Sequence, residues 1–282
     1  VSRIRLADAV AVVTGAAHGI GRAVAIELAG RGCRLALVDR DAAALDASAE
    51  VVRTRAGDAA APVTVHTLDV TSADAPARLL RDVLDAHGSV RLLVNNAGAA
   101  LMGRADEISD EELRWLFEVN FFAPVALAHA FLPSLRRSAP ARVVNVSSIF
   151  GIVAPTEHSA YVASKFALRG YSESLRHELE GSGVGVTVVH PGGVRTDIAR
   201  RARVAAALDP ADAAEAAERF TRLALRMPPE RAARRIADAI ERGRPRVLIG
   251  ADARAAELVQ RLMPGRYWSV LRHRFERFGR RS

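Results

Sequence analysis

Along this chain, short apolar runs rich in Val and Leu alternate with longer segments in which apolar residues recur at helical spacing. Runs near 9–14, 34–39, 63–69, 90–95, 142–148, 185–190 and 246–250 predict strands. They are continuous rather than alternating, as in LLVNN and VVNVSS, the pattern of strands covered on both faces and therefore paired in parallel. The segments at 19–31, 42–56, 73–87, 109–136, 158–181 and 229–242 predict helices between them. The expected fold class is α/β, a doubly wound sheet of seven parallel strands with right-handed crossovers. No linker, repeat or low-complexity tract breaks the pattern, so a single domain is expected over residues 1–250, with residues 251–282 as a helical C-terminal extension of it. Within the domain, 199–228 is rich in Ala and Arg, ends at Pro228 and Pro229, and reads as a helical insertion forming a substrate lid.

Composition narrows the class. With 282 residues, 50% of them apolar, the chain can bury a core that needs neither disulfides nor a structural metal. The lone Cys33 lies in an apolar run and reads as a packed thiol. The eight His residues are scattered without ligand spacing, so no metal is expected. No uninterrupted apolar run reaches the ~18 residues of a membrane span, and no signal-like segment opens the chain, which gives the expectation of a cytoplasmic protein. The net charge of +8 is uneven: residues 1–198 carry 20 basic and 22 acidic side chains, residues 199–282 carry 20 and 10. A slightly acidic body argues against a nucleic-acid binder and confines the basic character to the C-terminal third. Of the 40 cationic side chains 39 are Arg, and the exception is Lys165.

The first predicted strand runs into Thr14-Gly15-Ala16-Ala17-His18-Gly19-Ile20-Gly21 and then directly into an amphipathic helix. Glycines suit a turn that lets a pyrophosphate approach the backbone and meet free N–H groups at a helix N-terminus. The second strand ends at Asp39, where a dinucleotide fold places an acid on the adenosine ribose hydroxyls. Read locally, Asp39-Arg40-Asp41 is also a solvated turn capping the next helix. Tyr161 and Lys165 lie one helical turn apart. Proton transfer at an alcohol oxygen needs a positioned acid–base group, and a nearby cation is expected to stabilise the tyrosinate.

The glycine turn, Asn95-Asn96-Ala97-Gly98 after the fourth strand, and Tyr161-Val162-Ala163-Ser164-Lys165 together resemble the classical short-chain dehydrogenase/reductase family over roughly residues 7–250. The resemblance implies a seven-stranded Rossmann sheet, a nicotinamide cofactor and a catalytic set falling on Asn120, Ser148, Tyr161 and Lys165. It selects Ser148 over Ser147 and gives Asn120 a water-bridged relay to Lys165, whereas the residues alone also allow a satisfied core Asn that pins its helix. The cofactor contacts it implies are Gly15, His18, Gly19, Ile20, Gly21, Asp39, Arg40, Asp69, Val70, Asn96, Ala97, Gly98, Tyr161, Lys165, Pro191, Gly192, Val194 and Thr196. His158 reads as a pocket-rim residue. The surplus of apolar side chains at Val119, Phe121, Phe122, Leu127 and Phe131, on a helix that packs between subunits in the family, implies a homodimer or homotetramer.

Asp39 accepts from a free ribose diol and repels a 2′-phosphate, which favours NAD, while His18 and Arg40 pull toward NADP. Segments 99–103, 149–158 and 193–203 are mainly apolar, so the expected substrate is a hydrophobic secondary alcohol or ketone, sterol-, retinoid- or lipid-like. The competing functions are a catalytically silent dinucleotide-binding regulator and a membrane-surface binding protein. The latter rests on the extension, where Leu258, Val259, Leu262 and Met263, then Tyr267, Trp268, Val270, Leu271, Phe275 and Phe278 stand among six Arg. Packing of this tail on its own body or on a neighbouring subunit is the plainer expectation.

Overall fold

Each central strand sends successive side chains into two different cores, which is why its sequence shows no polar alternation. Val10 and Val12 of strand β1 (Val10–Thr14) join one core, and Ala11 and Val13 join the other. The computed structural model describes residues 3–57 and 62–276. Nine strands follow: β1, β2 (Arg34–Asp39), β3 (Val63–Thr67), β4 (Leu92–Asn95), β5 (Leu101–Met102), β6 (Ala141–Val146), β7 (Val184–Pro191), β8 (Arg203–Val204) and β9 (Arg246–Ile249). Seven form one parallel sheet in the order β3-β2-β1-β4-β6-β7-β9, and β5 pairs with β8 in a small second sheet. The chain leaves β1 for both halves of the large sheet, so a crevice opens between the carboxyl ends of β1 and β4, where doubly wound sheets bind ligands.

Helices α1 (Gly19–Ala29), α2 (Ala42–Ala56) and α8 (Pro229–Glu241) cover one face through Val24, Leu28, Leu45, Ile236 and Ile240. On the other face lie α3 (Ala75–His87), α5 (Ala123–Arg137) and α6 (Ser159–Glu178), with Leu79, Val83, Leu127, Phe131 and Leu175 buried against the sheet. Fully burying a side chain of this size contributes roughly 1.5–3 kcal/mol. Cys33 is a packed thiol whose Sγ donates to the Leu6 carbonyl at 3.1 Å, and burial pushes its pKa up to about 12.

The predicted helix 109–136 is continuous but not uniform. Helix α4 (Asp110–Phe117), begun by a reciprocal Ser109–Glu112 cap, passes through a π-helical turn at Glu118–Phe122 before α5. Such a turn inserts one extra residue into the helical repeat, and here it carries Asn120 to the inner face. By length and composition this 28-residue helix could cross a membrane, and 44% of its most apolar stretch is buried within the protein. The segment read as a lid contains β8 and α7 (Pro210–Ala224). Beyond the sheet, α9 (Ala251–Leu262) and α10 (Tyr267–Glu276) fold back onto a third apolar cluster, where the Tyr267 hydroxyl accepts the Ala154 N–H at 3.1 Å. The tail residues Arg277, Phe278, Arg280 and Arg281 lie outside the described residues.

Candidate active site

The turn after β1 is tight because side chains are missing where backbone must pass. Gly15 takes φ +67°, and a Cβ there would stand 2.7 Å from Asn96 Nδ2. Gly21 has an ordinary φ, yet a Cβ would overlap the Gly15 carbonyl oxygen, so its role is close packing rather than backbone freedom. Asn96 laces the turn to β4, its Nδ2 donating to Thr14 O at 3.0 Å and to Gly15 O at 3.2 Å. The buried Thr14 hydroxyl accepts the N–H groups of Asn96 and Ala97, both at 3.0 Å. Thr196 closes over this turn from across the crevice, within 2.9 Å of where a Gly19 Cβ would stand. Ile20 and Val70 share the same wall, Ile20 packing on the core of one face and Val70 on that of the other.

At the adenosine end, Asp39 accepts from Ala17 N through Oδ2 and from Asp41 N through Oδ1, both at 3.1 Å. Asp41, the residue that caps α2, pairs at 2.9 Å with His18 Nε2, and that bond is the leading reason its carboxyl sits below the usual range. The sequence reading gave the capping role to the turn Asp39-Arg40-Asp41 as a whole; the structure assigns it to Asp41 and adds the partnership with His18. Asp69 is partly buried, which raises its pKa, but the Thr71 N–H and hydroxyl at 2.9 and 2.7 Å outweigh this and hold it low. Arg40, Asp69 and Val70 all line the crevice.

Helix α6 carries one buried stripe, Tyr161, Lys165, Leu168, Ser172 and Leu175. Its C-terminal half is ordinary core, while the same stripe at the N-terminal end faces the cavity with a phenol and an ammonium. Ser147 and Ser148 leave β6 with both hydroxyls engaged: Ser147 Oγ donates to the Lys165 carbonyl at 3.0 Å, and Ser148 Oγ accepts the Phe150 N–H at 3.1 Å and lies against the Tyr161 hydroxyl, whose pKa it lowers. The main-chain carbonyl of Ser148 is held at 2.9 Å by His190 Nδ1, which must carry the proton because a carbonyl only accepts.

Lys165 Nζ donates to Val146 O at 3.2 Å and lies 5.7 Å from the Tyr161 ring centroid. Burial dominates both groups, raising Tyr161 to about 12 despite Ser148 and lowering Lys165 to about 8. Asn120 sits beside Lys165, its Oδ1 and the Lys165 Nζ lying 3.1 and 3.3 Å from where a Gly98 Cβ would stand. Its Oδ1 accepts Ala99 N at 2.9 Å, and its Nδ2 donates to Ala99 O and Ser164 Oγ, each at 3.0 Å. The amide fixes the main chain after Gly98, the core role that the residues alone allowed.

These elements enclose a cavity of about 1700 Å³ that reaches from the glycine turn to α7 and α10. Its far walls include Leu101, Met102, Trp115, Phe150, Phe220 and Leu271. Segment 199–228 is tied at its start: Arg203 stacks 3.7 Å from the Trp115 ring, Arg203 N donates to Ala100 O at 2.9 Å, and Ala206 N to Glu112 Oε1 at 3.0 Å. His158, read as a rim residue, is half-buried and lines the cavity, its ring 5.2 Å from Phe150, and desolvation pushes its pKa down to about 4, so it is neutral at pH 7. Asp252 of α9 also lines the cavity, and nothing in the local sequence signals it, because its contact is with residues some sixty positions earlier. No cluster of metal-ligating side chains occurs among the described residues.

A dinucleotide cradle at the sheet's switch point and a Tyr–Lys pair facing one apolar cavity define a nicotinamide-dependent oxidoreductase. More particularly, the chain belongs to the short-chain dehydrogenase family, whose sequence model, described as short chain dehydrogenase, matches residues 9–206. SadH of Mycobacterium tuberculosis, which carries an oxidoreductase name, is 40% identical over 260 residues, covering 92% of each chain. Dehydrogenase/reductase SDR family member 7B of Bos taurus is 37% identical over 71% of this chain and 62% of its own. Among solved structures, a short-chain dehydrogenase/reductase of Burkholderia phymatum in complex with NAD superposes with a TM-score of 0.82 at 31% identity, covering 92% of this chain and 95% of its own. One from Burkholderia cenocepacia in complex with NADP gives 0.75 at 26% identity, covering 95% and 99%.

Proposed function

We propose that this oxidoreductase interconverts a hydrophobic secondary alcohol and its ketone, sterol-, retinoid- or lipid-like, using NAD in preference to NADP, with Tyr161 as general acid and base. The observation that carries the reading is the convergence of Tyr161, Ser148 and Lys165 on the apolar cavity that adjoins the glycine turn. The turn fits a dinucleotide because its glycines let it fold tightly against Asn96 and Ala97, leaving the backbone of Gly15 and Gly19 and the N-terminus of α1 open to the crevice. When bound, the nicotinamide accepts or donates the hydride. Gly15 and Gly19 would hold the pyrophosphate, with Gly21 packing behind them, Asp39 the ribose diol, and Asp69 the adenine end, with Asn96, Ala97 and Gly98 on one side of the cleft and Pro191, Gly192, Val194 and Thr196 on the other.

With a pKa near 12, Tyr161 is a neutral phenol at pH 7, ready to give its proton to a carbonyl oxygen during reduction. Oxidation requires the phenolate, and Lys165, still mainly cationic at pH 7, is the charge placed to favour it once both groups close on the ligands. Ser148 orients the substrate oxygen toward the phenol, and Asn120 and Ser164 position the segment beneath. Tyr161→Phe removes only the phenolic oxygen. Turnover of a panel of hydrophobic alcohols and ketones should fall at least about a hundredfold while dinucleotide affinity is kept. A variant retaining a substantial fraction of the wild-type rate would remove Tyr161 from the chemistry.

Two wider surfaces support further readings. Phe122, 50% exposed, Phe166 and Leu113 leave an uncovered apolar face on α4–α6, and we propose that a second copy covers it in a homodimer or homotetramer, which light scattering would register. The outer face of α9–α10 shows Leu258, Leu262, Met263 and Val270 beside the exposed Arg254, Arg261, Arg266 and Arg272. Apolar side chains ringed by cations match an anionic bilayer surface, from which an apolar substrate would be drawn.

A further inference from the structure

We infer that Asp252, in the first turn of α9, is a positioning residue that fixes the Pro191–Gly193 turn, and with it the nicotinamide side of the cleft. Its Oδ2 accepts the Gly193 N–H at 2.6 Å, across 59 residues of sequence. Two glycines make room for this one carboxylate, and a third makes room for the main chain beside it. A Cβ on Gly192 or on Gly250 would overlap the carboxylate oxygens of Asp252, and Gly250 also takes φ +111°. A Cβ on Gly193 would overlap the Ala224 carbonyl. These glycines lie just past the ends of β7 and β9, so two neighbouring strands finish in a slot shaped to a carboxylate.

Gly193 is where three parts of the chain meet. Its N–H goes to Asp252, its carbonyl accepts Arg226 N and Met227 N at 3.0 and 2.9 Å at the end of the lid, and the neighbouring Gly192 N donates to Ile249 O at 2.8 Å. An acid in the first turn of a helix ordinarily serves that helix's own free N–H groups and its dipole. Asp252 instead reaches outward, and no Arg forms an ion pair with it among the described residues. Its charge therefore acts on a main-chain amide, in a hydrogen bond of the charge-assisted kind. Val194 and Thr196 follow at once, and Thr196 is the residue lying against Gly19 of the glycine turn. Holding Gly193 thus sets the distance between the two walls of the cleft. Asp252 lies beyond residues 9–206, the span of the family match, and it makes the extension a working part of the site rather than an appendage.

The inference rests on the proposed dinucleotide site, and its test separates the two. In the full chain without added dinucleotide, the Gly193 amide of the wild type should be protected from hydrogen exchange. In Asp252→Ala it should exchange about tenfold to a hundredfold faster, the range expected for losing a hydrogen bond to a charged group. NAD and NADH affinity, read by fluorescence titration, should weaken by about the same factor with the far-UV spectrum unchanged. Asp252→Asn keeps an acceptor oxygen and should recover most of both effects, which a purely structural loss would not show. If Asp252→Ala does not fold, Asp252→Ser, whose hydroxyl is too short to reach, takes its place. An unprotected Gly193 amide in the wild type, or wild-type NAD affinity in the Ala or Ser variant, would overturn the inference. A wild type that binds neither dinucleotide, with the amide protected, would overturn the proposed function and leave the clamp standing.

Discussion

Asp39 is held at both carboxylate oxygens by main-chain N–H groups, so its orientation is set by the protein before any ligand arrives. Each oxygen retains a second acceptor site, which suits a ribose diol and opposes a phosphate. The cations that would favour the phosphate are partly engaged: His18 is bound to Asp41, and Arg40, along the crevice wall, lies within range of the Asp69 charge. Removing the acid with Asp39→Ala should therefore weaken NAD about tenfold and raise the relative use of NADP, checked by titrating both dinucleotides against both proteins. A wild type that already prefers NADP would show that Arg40 and His18 outweigh the acid. Residues such as these were legible in sequence to different degrees for a physical reason. Asp39, Gly15 and the Tyr161–Lys165 pair announce themselves because their function follows from position on one element. The His18–Asp41 pair, the bond of Ser147 to the Lys165 carbonyl, and Asp252 depend on which segments the fold brings together, and no local pattern encodes that.

At the scale of elements, the large sheet and its helices were readable because continuous apolar runs have few ways to be buried. The π turn was not, since an inserted residue leaves the apolar spacing of 109–136 intact while redirecting Asn120. The two-residue strands β5 and β8 are too short to show any period, yet they tie segment 199–228 to the stretch after β4. Strand ends also carry histidines that the fold keeps neutral. On β3, Thr64 Oγ bridges His66 and His87 at 2.8 and 2.9 Å; burial, then the charge of Arg34, pushes His87 down to about 4. On β7, His190 falls to about 4 mainly through burial, its Nε2 lacking a partner in the structure. Unfolded, each would protonate near pH 6.5. Between about pH 6.5 and 4 the unfolded chain thus binds more protons, and stability should fall as the pH falls, by up to about 1.4 kcal/mol per pH unit for each such His. Urea unfolding at pH 7.5, 6 and 5 checks this, and His87→Gln should flatten the slope. A midpoint independent of pH across that window would mean that these rings protonate without cost in the fold.

Across the whole molecule, the extension divides its side chains between two surroundings. Inward, Ala256, Tyr267 and Leu271 join the aromatic cluster behind the cavity, as the plainer reading of the tail expects. Outward, Leu262 is 71% exposed and Val270 51%, and they stand in a face whose charged residues at 254, 261, 266 and 272 are all Arg. The apolar patch thus centres on the junction of α9 and α10 rather than on Trp268, which is half-buried. A bilayer would gain from the apolar side chains entering its interface and, near an anionic surface, about 1 kcal/mol from each Arg. Exposed positions can be changed without disturbing the core, so Leu262→Glu with Val270→Glu tests the face in the full chain. The wild type should sediment with phosphatidylserine-containing vesicles and much less with neutral ones, and the double variant should lose at least about tenfold of that binding. Because the same helices wall the cavity, turnover of an apolar substrate supplied in anionic vesicles should fall in parallel, while turnover of a short, water-soluble ketone should not. Equal and negligible sedimentation of both proteins would remove the bilayer as the partner of this face and leave its inner packing as the extension's role.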